Sequence, residues 1–394
     1  MYYHSKSGTQ VISGWVKSDG TIEAGSLDLT TRKVSSAALW PGLEIDDHDN
    51  PAFVETPDGS VLAQYAKHGT GKLYQNRTDR TGAVGSFSAA DSMDVIDPAE
   101  LEKFPRSTIT YANPFRLSRE NNRLYSFGRW TGFKPNIMWS DDNGIRWSKA
   151  RVLITNTPFN ADNRPYVKYF SDGKSRIHIV FTDGHPRNEP VNSVYYACYE
   201  KGNFYRADGS KICSINELPF EPTQASVVYR ATGESGKAWV FDLAATKDGH
   251  PVILYTRYPT DADHRYHYAI YKGGQWIDHE ICRAGKWFPR TPEGKQEPEP
   301  NYSAGLTLHP RKINTVYLAR EVNGVFEIEK RVTNDYGASW SVYPVTRGSR
   351  YDNVRPYVPR NYQKGDPDVV LWMQNTGYIH YLHFSANIRY FVEE

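Results

Sequence analysis

The chain has 394 residues, 14% of them aromatic, and its 47 lysines and arginines against 45 aspartates and glutamates give a formal net charge of +2. This balance excludes a global electrostatic attraction to nucleic acid or to an anionic membrane. No apolar run approaches the roughly 20 residues of a membrane helix, and three cysteines allow one disulfide at most.

A unit of strand, polar loop and second strand recurs along the chain, often after a turn signal such as Asp-Gly. Its starts are about 50 to 75 residues apart, near the period of four-stranded propeller blades with insertions. Seven copies occupy residues 9–29, 58–78, 122–144, 175–199, 249–276, 314–332 and 367–384. Helical periodicity is nearly absent, and residues 97–104 (DPAELEKF) are the best short helix candidate.

These copies predict an all-β fold, a seven-bladed β-propeller that spans residues 1–394 as a single domain. The alternative is an array of β-sandwiches, which seven similar units without an intervening linker disfavour. We expect the N-terminal and C-terminal strands to share one blade.

Two segments fit the Asp-box pattern [Ser/Thr]-x-Asp-x-Gly-x-x-Trp, namely Ser140–Trp147 (SDDNGIRW) and Thr333–Trp340 (TNDYGASW). In such a hairpin the Asp binds the turn backbone, the Gly adopts a positive φ and the Trp packs back on the blade. The box is structural and occurs in many propellers, so it indicates the fold and not the reaction.

In a propeller, the inner strand of each blade begins at the face where the second strand ends, so residues at these positions should ring one mouth. Second-strand ends carry His68, Arg129 with Trp130 beside it, His185, Arg257, Arg320 and Gln374. Inner-strand starts carry His48, Tyr111, Asn113, Arg164, Tyr166, Asp242, Asn301, Tyr302, Arg355 and Tyr357. The recurring arginines favour an anionic ligand, because a guanidinium forks to a carboxylate or sulfate. The alternative is that each arginine is solvated or binds a neighbouring loop.

His48 lies in the stretch EIDDHDNP (44–51), and we expect it at the same mouth as His68. Histidine titrates near neutrality, so such a pair can act as acid, base or charge neutraliser. The aspartates around His48 can fix its tautomer. Equally, they form an ordinary acidic turn capped by Asp46 or Asp47, in which the histidine is structural.

No P-loop, GxGxxG, GxSxG or HExxH motif is present. The remaining thiols and imidazoles match no standard zinc spacing, so we expect neither a metal nor another cofactor. This set comprises Cys198, Cys213, His264, His267, His279 and Cys282.

Residues 46–68 (DDHDNPAFVETPDGSVLAQYAKH), 110–115 (TYANPF) and 122–130 (NRLYSFGRW) resemble BNR-type propellers that include the ulvan lyases of polysaccharide lyase families 24 and 25. They are closer still to glycoside hydrolase family 145, and the similarity covers essentially the whole ring. The lyases cleave at a uronic acid with histidines, a tyrosine and an arginine. By motif position the resemblance implies His48, His68 and Arg129, with the tyrosine's place held by Tyr111 or by Asn113.

Family 145 resembles α-L-rhamnosidases that remove L-rhamnose linked α-1,4 to D-glucuronic acid at the ends of arabinogalactan side chains, and a single histidine, matching His48, is the key catalytic residue. The resemblance therefore implies an exo-acting rhamnosidase on arabinogalactan or gum arabic. Protonated His48 donates to the glycosidic oxygen, and the other mouth residues bind the substrate. The alternatives are β-elimination at a uronic acid, as in the ulvan lyases, and a non-catalytic glycan-binding propeller.

The expected partner is an oligo- or polysaccharide that carries uronic acid, with no nucleic acid and no membrane span, and the expected state is a monomer. A polysaccharide-degrading role implies export to the periplasm or the medium. Because residues 1–8 (MYYHSKSG) lack the apolar core of a signal peptide, we expect that peptide to have been removed.

Overall fold

The computed structural model describes residues 1–5, 8–285 and 304–393. In these ranges the strands form seven antiparallel sheets, each built from one continuous segment of chain. From the second sheet to the sixth, the first strand of each sheet contacts the first strand of the next. The sheets are therefore the blades of a seven-bladed β-propeller, and their first strands line its central channel, as the repeats predict.

Blades 1 to 3 have four strands each. Blade 1 comprises β1 (Tyr2–Ser5), β2 (Gly8–Val16), β3 (Ile22–Asp28) and β4 (Val34–Trp40). Blade 2 comprises β5 (Ala52–Glu55), β6 (Val61–Ala66), β7 (Leu73–Arg77) and β8 (Asp91–Met93). Blade 3 comprises β9 (Ser107–Leu117), β10 (Arg123–Thr131), β11 (Pro135–Ser140) and β12 (Arg151–Val152).

Blades 4 to 7 vary more in strand number. Blade 4 comprises β13 (Val167–Ser171), β14 (Arg176–Thr182), β15 (Val194–Glu200), β16 (Asn203–Tyr205), β17 (Lys211–Ser214) and β18 (Ser226–Tyr229), the last paired with β15. Blade 5 comprises β19 (Lys237–Ala245), β20 (Pro251–Thr260), β21 (Asp263–Lys272) and β22 (Gln275–Gly285). Blade 6 comprises β23 (Leu306–Leu308), β24 (Thr315–Val322), β25 (Val325–Val332) and β26 (Ser341–Pro344). Blade 7 comprises β27 (Asp352–Tyr357), β28 (Asp368–His380) and β29 (His383–Glu393).

The seven sequence copies correspond to the second and third strands of the seven blades. Second strands such as β6 and β10 are buried on both faces, because each blade packs between two neighbours. The outer strand β26 is exposed throughout. The apolar strand of each repeat is therefore the one that supplies the core between blades.

Both Asp-boxes form the predicted hairpin. In the first, the Ser140 hydroxyl accepts from the Gly144 amide at 2.9 Å and the Asp142 carboxylate accepts from the Arg146 amide at 2.8 Å. Gly144 has a φ of +79°, a region that glycine adopts without strain. The Trp147 indole donates to Gln75 of blade 2 at 3.1 Å, so the box also joins two blades.

The expectation that the chain termini share a blade is wrong. β1 pairs with β2 inside blade 1, while blade 7 contains only β27, β28 and β29 among the described strands. The ring closes instead through contacts between blades 1 and 7: the Tyr2 amide donates to the Arg360 carbonyl at 2.7 Å, and its hydroxyl donates to the Pro367 carbonyl at 2.8 Å. The physical reason is that Tyr2–Ser5 precedes the first repeat and completes blade 1 from the inside.

One short helix, α1 (Pro98–Lys103), lies in the segment where the sequence predicts it. The Asp97 carboxylate caps α1 by accepting from the Ala99 amide at 2.9 Å. Across the described residues, no helix has the length and apolarity needed to cross a bilayer.

Candidate active site

A one-turn 3-10 helix, Asp47–Asp49, precedes β5 at the mouth of the channel. Asp46 caps this turn: its carboxylate accepts from the His48 amide at 2.9 Å. The same carboxylate lies 2.5 Å from His48 Nδ1 through one oxygen and 2.9 Å from His68 Nδ1 through the other. One aspartate thus caps the acidic turn and also holds both histidines.

The rings of His48 and His68 stack, with centroids 4.0 Å apart and an interplanar angle of 17°. Because Asp46 is an acceptor, each ring presents an Nδ1–H to it, and each Nε2 is the nitrogen left for chemistry. The two side chains are 21% and 26% exposed, so solvent and substrate can reach them.

Hydrogen bonds from His48 and His68 hold the pKa of Asp46 well below its usual range, although burial opposes them. Asp49, three residues later, is fully buried, and burial together with the nearby Glu44 and Asp46 raises its pKa to about 9. At neutral pH Asp46 is therefore charged and Asp49 is neutral. The Asp46 carboxylate is thus the charge that both imidazoles share, and the Asp47 carboxylate lies 3.5 Å from His48 Nδ1.

Tyr111 lies at a bulge in β9, where its φ is +68° and the pairing with β10 shifts register between Phe127 and Arg129. Bulges next to active sites commonly re-aim a side chain. Here the Tyr111 ring lies 5.8 Å from the His48 ring and 5.1 Å from the Arg129 guanidinium. Burial raises the pKa of the Tyr111 hydroxyl, which is therefore a proton donor at neutral pH.

Of the two candidates for the tyrosine's place, Tyr111 is the one that faces the histidines. Asn113 pairs with Phe127 across the strands and donates its amide to the Phe127 carbonyl at 3.2 Å.

Trp130 is not at the mouth, so its expected position is wrong. Successive side chains of a strand point to opposite faces, so Arg129 and Trp130 diverge. Trp130 is fully buried in a cluster with Ala66 and Ile109, and its indole N–H donates to the Tyr111 carbonyl at 3.1 Å. This hydrogen bond stabilises the Tyr111 backbone in its left-handed conformation.

Arg129 connects the histidines to the rest of the mouth. Its Nη2 lies 3.5 Å from His68 Nε2, and its Nη1 lies 3.5 Å from the Tyr166 hydroxyl. The side chain is 7% exposed, and its Nε is buried with no hydrogen-bonding partner in the part of the chain that the structure describes. Such a donor suits a ligand oxygen.

A second aromatic group continues the mouth beyond Arg129. Tyr166, His185 and Trp239 make mutual edge or tilted contacts, with ring centroids 4.8 to 5.2 Å apart. Burial lowers the pKa of His185 to about 2, and the neighbouring cations Arg164, Arg187, Arg129 and Lys237 lower it further. Aromatic rings therefore line this half of the mouth, and arginine and lysine side chains surround its rim.

The guanidinium groups of two arginines at this rim pack against the Phe133 ring. The Arg129 guanidinium lies 4.5 Å and the Arg164 guanidinium 5.4 Å from the centroid of its ring. Lys134, fully buried, donates to the Asn160 carbonyl at 2.7 Å and so fastens the loop that leads to Arg164. Phe133 itself has a φ of +58°.

Blade 7 also contributes to the mouth. The long hairpin of β28 and β29 reaches over to blade 2 and places the Tyr381 ring edge-on to His48, with centroids 4.8 Å apart. The Tyr381 carbonyl accepts from the Asp47 amide at 3.1 Å, and the Tyr378 hydroxyl donates to the Asp47 carboxylate. The turn that carries His48 is therefore fixed from the far end of the chain.

Three other predicted arginines lie on blades 5, 6 and 7. Arg257 binds Asp278 of β22 and donates to the Tyr255 hydroxyl at 2.8 Å. Arg320 binds Glu329 of β25 at 2.6 Å. Carboxylates of their own blades therefore neutralise both, and their place at the mouth stays a prediction. Arg355 is an exposed position of β27, and the predicted Asn301 and Tyr302 lie outside the described residues.

Asp46, His48 and His68 are also the described cluster whose ligand atoms are close enough to share a metal ion, all within 4.8 Å. However, the two Nδ1–carboxylate distances of 2.5 and 2.9 Å are those of direct hydrogen bonds. Ligands of a tetrahedral zinc stand about 3.3 Å apart for bonds of about 2.0 Å. The three groups as arranged form a hydrogen-bonded relay.

Sequence reasoning missed Tyr381, Trp239, Phe133 and the bridging role of Asp46. Trp239 is the third residue of an inner strand, a position that the mouth rule covers and that an aromatic search would have found. No local pattern reveals Tyr381, because it comes from a hairpin more than 300 residues away from His48.

A family model described as "BNR repeat-containing family member" matches residues 11–284. No curated protein sequence matches the chain. Among solved structures, a polysaccharide lyase of family PL25, an ulvan lyase bound to -[GlcA(1-4)Rha3S]-, aligns with a TM-score of 0.70 at 13% identity and covers 100% of this chain and 91% of that chain. The polysaccharide lyase Uly1 aligns with a TM-score of 0.61 at 13% identity, covering 97% and 87%. The propeller thus resembles those of carbohydrate-active enzymes.

Proposed function

Because this chain belongs to the BNR repeat-containing family, and its mouth joins two imidazoles, a tyrosine and an arginine, we propose that it cleaves a uronic-acid-containing polysaccharide by β-elimination. The observation that carries the proposal is the contact chain from His48 through His68 to Arg129, with the Tyr111 ring against both ends. These groups meet the three needs of the reaction: a charge neutraliser, a base and an acid.

Arg129 binds the uronate carboxylate, with His68 beside it. The Nε of Arg129 has no partner among the described residues, and its Nη2 lies 3.5 Å from His68 Nε2. A guanidinium on the carboxylate withdraws its charge and acidifies the neighbouring C5–H bond.

His48 is the general base. Asp46 fixes the Nδ1–H tautomer, so Nε2 offers its lone pair to the C5 proton. The C5–H electrons form the C4–C5 double bond, and the C4–O bond breaks as the pair departs with the oxygen. The proton ends on His48, whose charge Asp46 stabilises.

Tyr111 is the general acid that protonates the departing oxygen. Its raised pKa keeps the hydroxyl protonated until charge develops on the leaving group, and Arg129, 5.1 Å from its ring, stabilises the phenolate that follows. Tyr166 and Trp239 offer ring faces and edges to the neighbouring sugar.

The carboxylates nearest the histidines are poorly placed for ordinary glycoside hydrolysis, which uses two carboxyl groups across the scissile bond. Asp46 is 3% exposed and sits between two imidazoles, and Asp47 accepts from the Tyr378 hydroxyl. Elimination needs neither of them at the bond.

A second candidate is hydrolysis that releases L-rhamnose from D-glucuronate ends, with His48 as the general acid. The specific observation in its favour is the 2.5 Å contact between His48 Nδ1 and Asp46, which stabilises a protonated imidazole. In that reaction the substrate's own carboxylate assists, and Arg129 holds it.

The two reactions leave different products. We would incubate the protein with ulvan and with gum arabic and follow ultraviolet absorbance from an unsaturated uronate and, separately, free L-rhamnose. Absorbance without rhamnose supports elimination, and rhamnose without absorbance supports the hydrolase. Binding to either glycan with neither product would leave the non-catalytic propeller as the better account.

The matched variants are His48→Gln in the mouth and His250→Asn on the surface. His250 is exposed, far along the chain in blade 5, and should leave activity unchanged. General acid–base catalysis supplies about 10²–10⁴-fold in rate, so His48→Gln activity within about tenfold of the parent would exclude either role for His48.

A further inference from the structure

A cleft in blade 6 takes no part in the proposed reaction. Its volume is about 460 Å³, within the range of roughly 300–1,000 Å³ that small-molecule sites occupy. Val322 and Pro344 give it apolar surface. Its polar lining comes from β24, β25, the turn between them and the segment after β26, and includes Arg320, Asn323, Glu327, Glu329, Thr346 and Arg347. We call this feature the blade-6 cleft.

The two carboxylates of the blade-6 cleft already serve donors of the protein itself. Glu329 lies between two guanidiniums, 2.6 Å from Arg320 Nη2 and 2.8 Å from Arg331 Nη2. Glu327 accepts from the Ser349 amide at 2.7 Å and from the Ser349 hydroxyl at 2.8 Å. Neither carboxylate is therefore the group that the cleft offers to a ligand.

Two donors of the cleft are free instead. The Arg347 guanidinium and the Asn323 amide are exposed and make no hydrogen bond or ion pair within the described ranges. Asn323 opens a two-residue Asn-Gly turn in which both φ values are positive, +54° and +86°, so the turn itself is of the favoured hairpin type. Three guanidiniums against two carboxylates leave a surplus of positive charge, which favours an acidic ligand.

The blade-6 cleft opens on the same face of the propeller as the catalytic mouth. Its Asn-Gly turn joins the second and third strands of blade 6, β24 and β25. The turn that carries Phe133 at the mouth joins the second and third strands of blade 3, β10 and β11. Because corresponding turns of all blades lie on one face of a propeller, a single polymer can run across both sites.

We infer that the blade-6 cleft binds an acidic sugar unit of a polysaccharide, carboxylated or sulfated, away from the bond that is cleaved. The Arg347 guanidinium forks to the carboxylate or sulfate, and the Asn323 amide donates to a neighbouring oxygen. The apolar surface of Val322 and Pro344 lies against the sugar ring. That the ligand is a polysaccharide rests on the proposed function, but binding in this cleft requires no cleavage.

The test is affinity electrophoresis in native gels that contain polyglucuronate, dextran sulfate or neutral dextran. The His48→Gln variant serves as the parent, so that the polymer is not degraded during the run. Retardation by polyglucuronate assigns a sugar carboxylate as the ligand, and retardation by dextran sulfate alone assigns a sulfate ester. Retardation by neither charged polymer, or equal retardation by neutral dextran, overturns the inference.

Variants in this background then locate the binding. Arg347→Gln and Asn323→Asp each lower the net charge by one, and Asn323→Asp keeps a residue that the turn accepts. Each should weaken the Kd by about tenfold, because a charge-assisted contact is lost or opposed. The matched controls are Arg119→Gln and Asn121→Asp, which make the same changes at exposed positions between β9 and β10, on the opposite face. Asn121 has a φ of +52°, like Asn323, and both controls should keep the parental Kd.

Equal weakening in cleft variants and controls would show that only the net charge matters, and a parental Kd in both cleft variants would place all binding elsewhere. Either result overturns the blade-6 cleft as a binding site. If the wild-type chain cleaves neither ulvan nor gum arabic while the cleft variants alone lose affinity, the cleft is confirmed and the proposed function fails.

Discussion

The imidazoles of His48 and His68 are stacked 4.0 Å apart on the two oxygens of one carboxylate, that of Asp46. Each oxygen of that carboxylate contacts one Nδ1, so both Nε2 atoms are left to face the substrate. One ring can therefore act as the base while its neighbour lies beside Arg129. This division of roles is the basis of the predictions on activity.

Asp46→Asn should lower kcat by about 10²-fold or more with little change in KM, because the amide no longer fixes both Nδ1–H tautomers. The measurement is initial rate on the active polysaccharide, with far-ultraviolet circular dichroism to verify the fold. Asp47→Asn is the comparison and should cost less, since Asp47 accepts from Tyr378 and lies 3.5 Å from His48 Nδ1 but does not contact His68. Equal losses in the two variants would show that the carboxylates only shape the turn.

Tyr111→Phe should lower kcat by about 10²–10⁴-fold, the range for loss of a general acid, while substrate binding persists. Asn113→Ala should stay within about tenfold of the parent, because its amide is engaged with the Phe127 carbonyl. The reverse result, with Asn113 essential and Tyr111 dispensable, would overturn the assignment of the acid.

Arg129→Lys should weaken kcat/KM by about 10²-fold, because an ammonium cannot fork to a carboxylate as a guanidinium does. Arg257→Lys is the control of the same chemistry: it keeps its charge beside Asp278 and lies in another blade. The Kd for a polysaccharide with the uronate carboxyls reduced to alcohols gives a second check. There, the difference between parent and Arg129→Lys should largely vanish.

Trp130→Phe should destabilise the fold by about 1–3 kcal/mol, because the Tyr111 carbonyl loses its indole donor in a buried place. The measurement is urea unfolding followed by circular dichroism. Trp276→Phe, at a half-buried position in blade 5, is the comparison and should cost less. If the Trp130→Phe protein has parental stability but altered substrate affinity, Trp130 contacts the substrate at the mouth after all.

Stability should fall as pH drops from neutrality, in part because buried histidines must charge on unfolding. Burial lowers the pKa of His178 to about 4. Between about pH 6.5 and 4, the unfolded chain binds a proton on His178 that the folded chain does not bind. The free energy of unfolding therefore falls as pH drops through that window, and above pH 6.5 this residue causes no such loss.

His178→Gln should therefore reduce the stability difference between pH 7 and pH 5 by about 2 kcal/mol relative to the parent. The measurement is urea unfolding at both pH values, with His250→Asn as a surface control that keeps the parental difference. An unchanged difference in His178→Gln would mean that this ring is not the proton acceptor on unfolding.

The fold was predictable because each blade of a propeller repeats the same pattern of buried strands and turns. Each apolar second strand, such as Val61–Ala66, is buried on both faces, and each is followed by a turn. The Asp-boxes fixed two hairpins through bonds within eight residues, such as the Ser140 hydroxyl to the Gly144 amide. Ring closure was not predictable, because it depends on whether Tyr2–Ser5 or the last hairpin fills the inner place of a blade.

The site was predictable in part. His48, His68 and Arg129 come together as their strand positions predict. Strand position does not fix side-chain direction, which is why Trp130 was misplaced: its side chain turns to the face opposite Arg129. The tyrosine required a bulge and a positive φ at residue 111, features that no spacing rule reveals.

Ring closure through Tyr2 and the reach of Tyr381 to His48 together place the candidate chemistry beside the seam of the ring. The last hairpin forms the edge of blade 7 and also holds the turn that carries His48. A molecule whose seam has parted, with six blades still folded, would keep nearly all of its sheet structure and yet lose the wall behind His48. Enzymatic activity would then show whether the ring of blades is closed. Circular dichroism would detect the loss of closure poorly, because the strand content hardly changes.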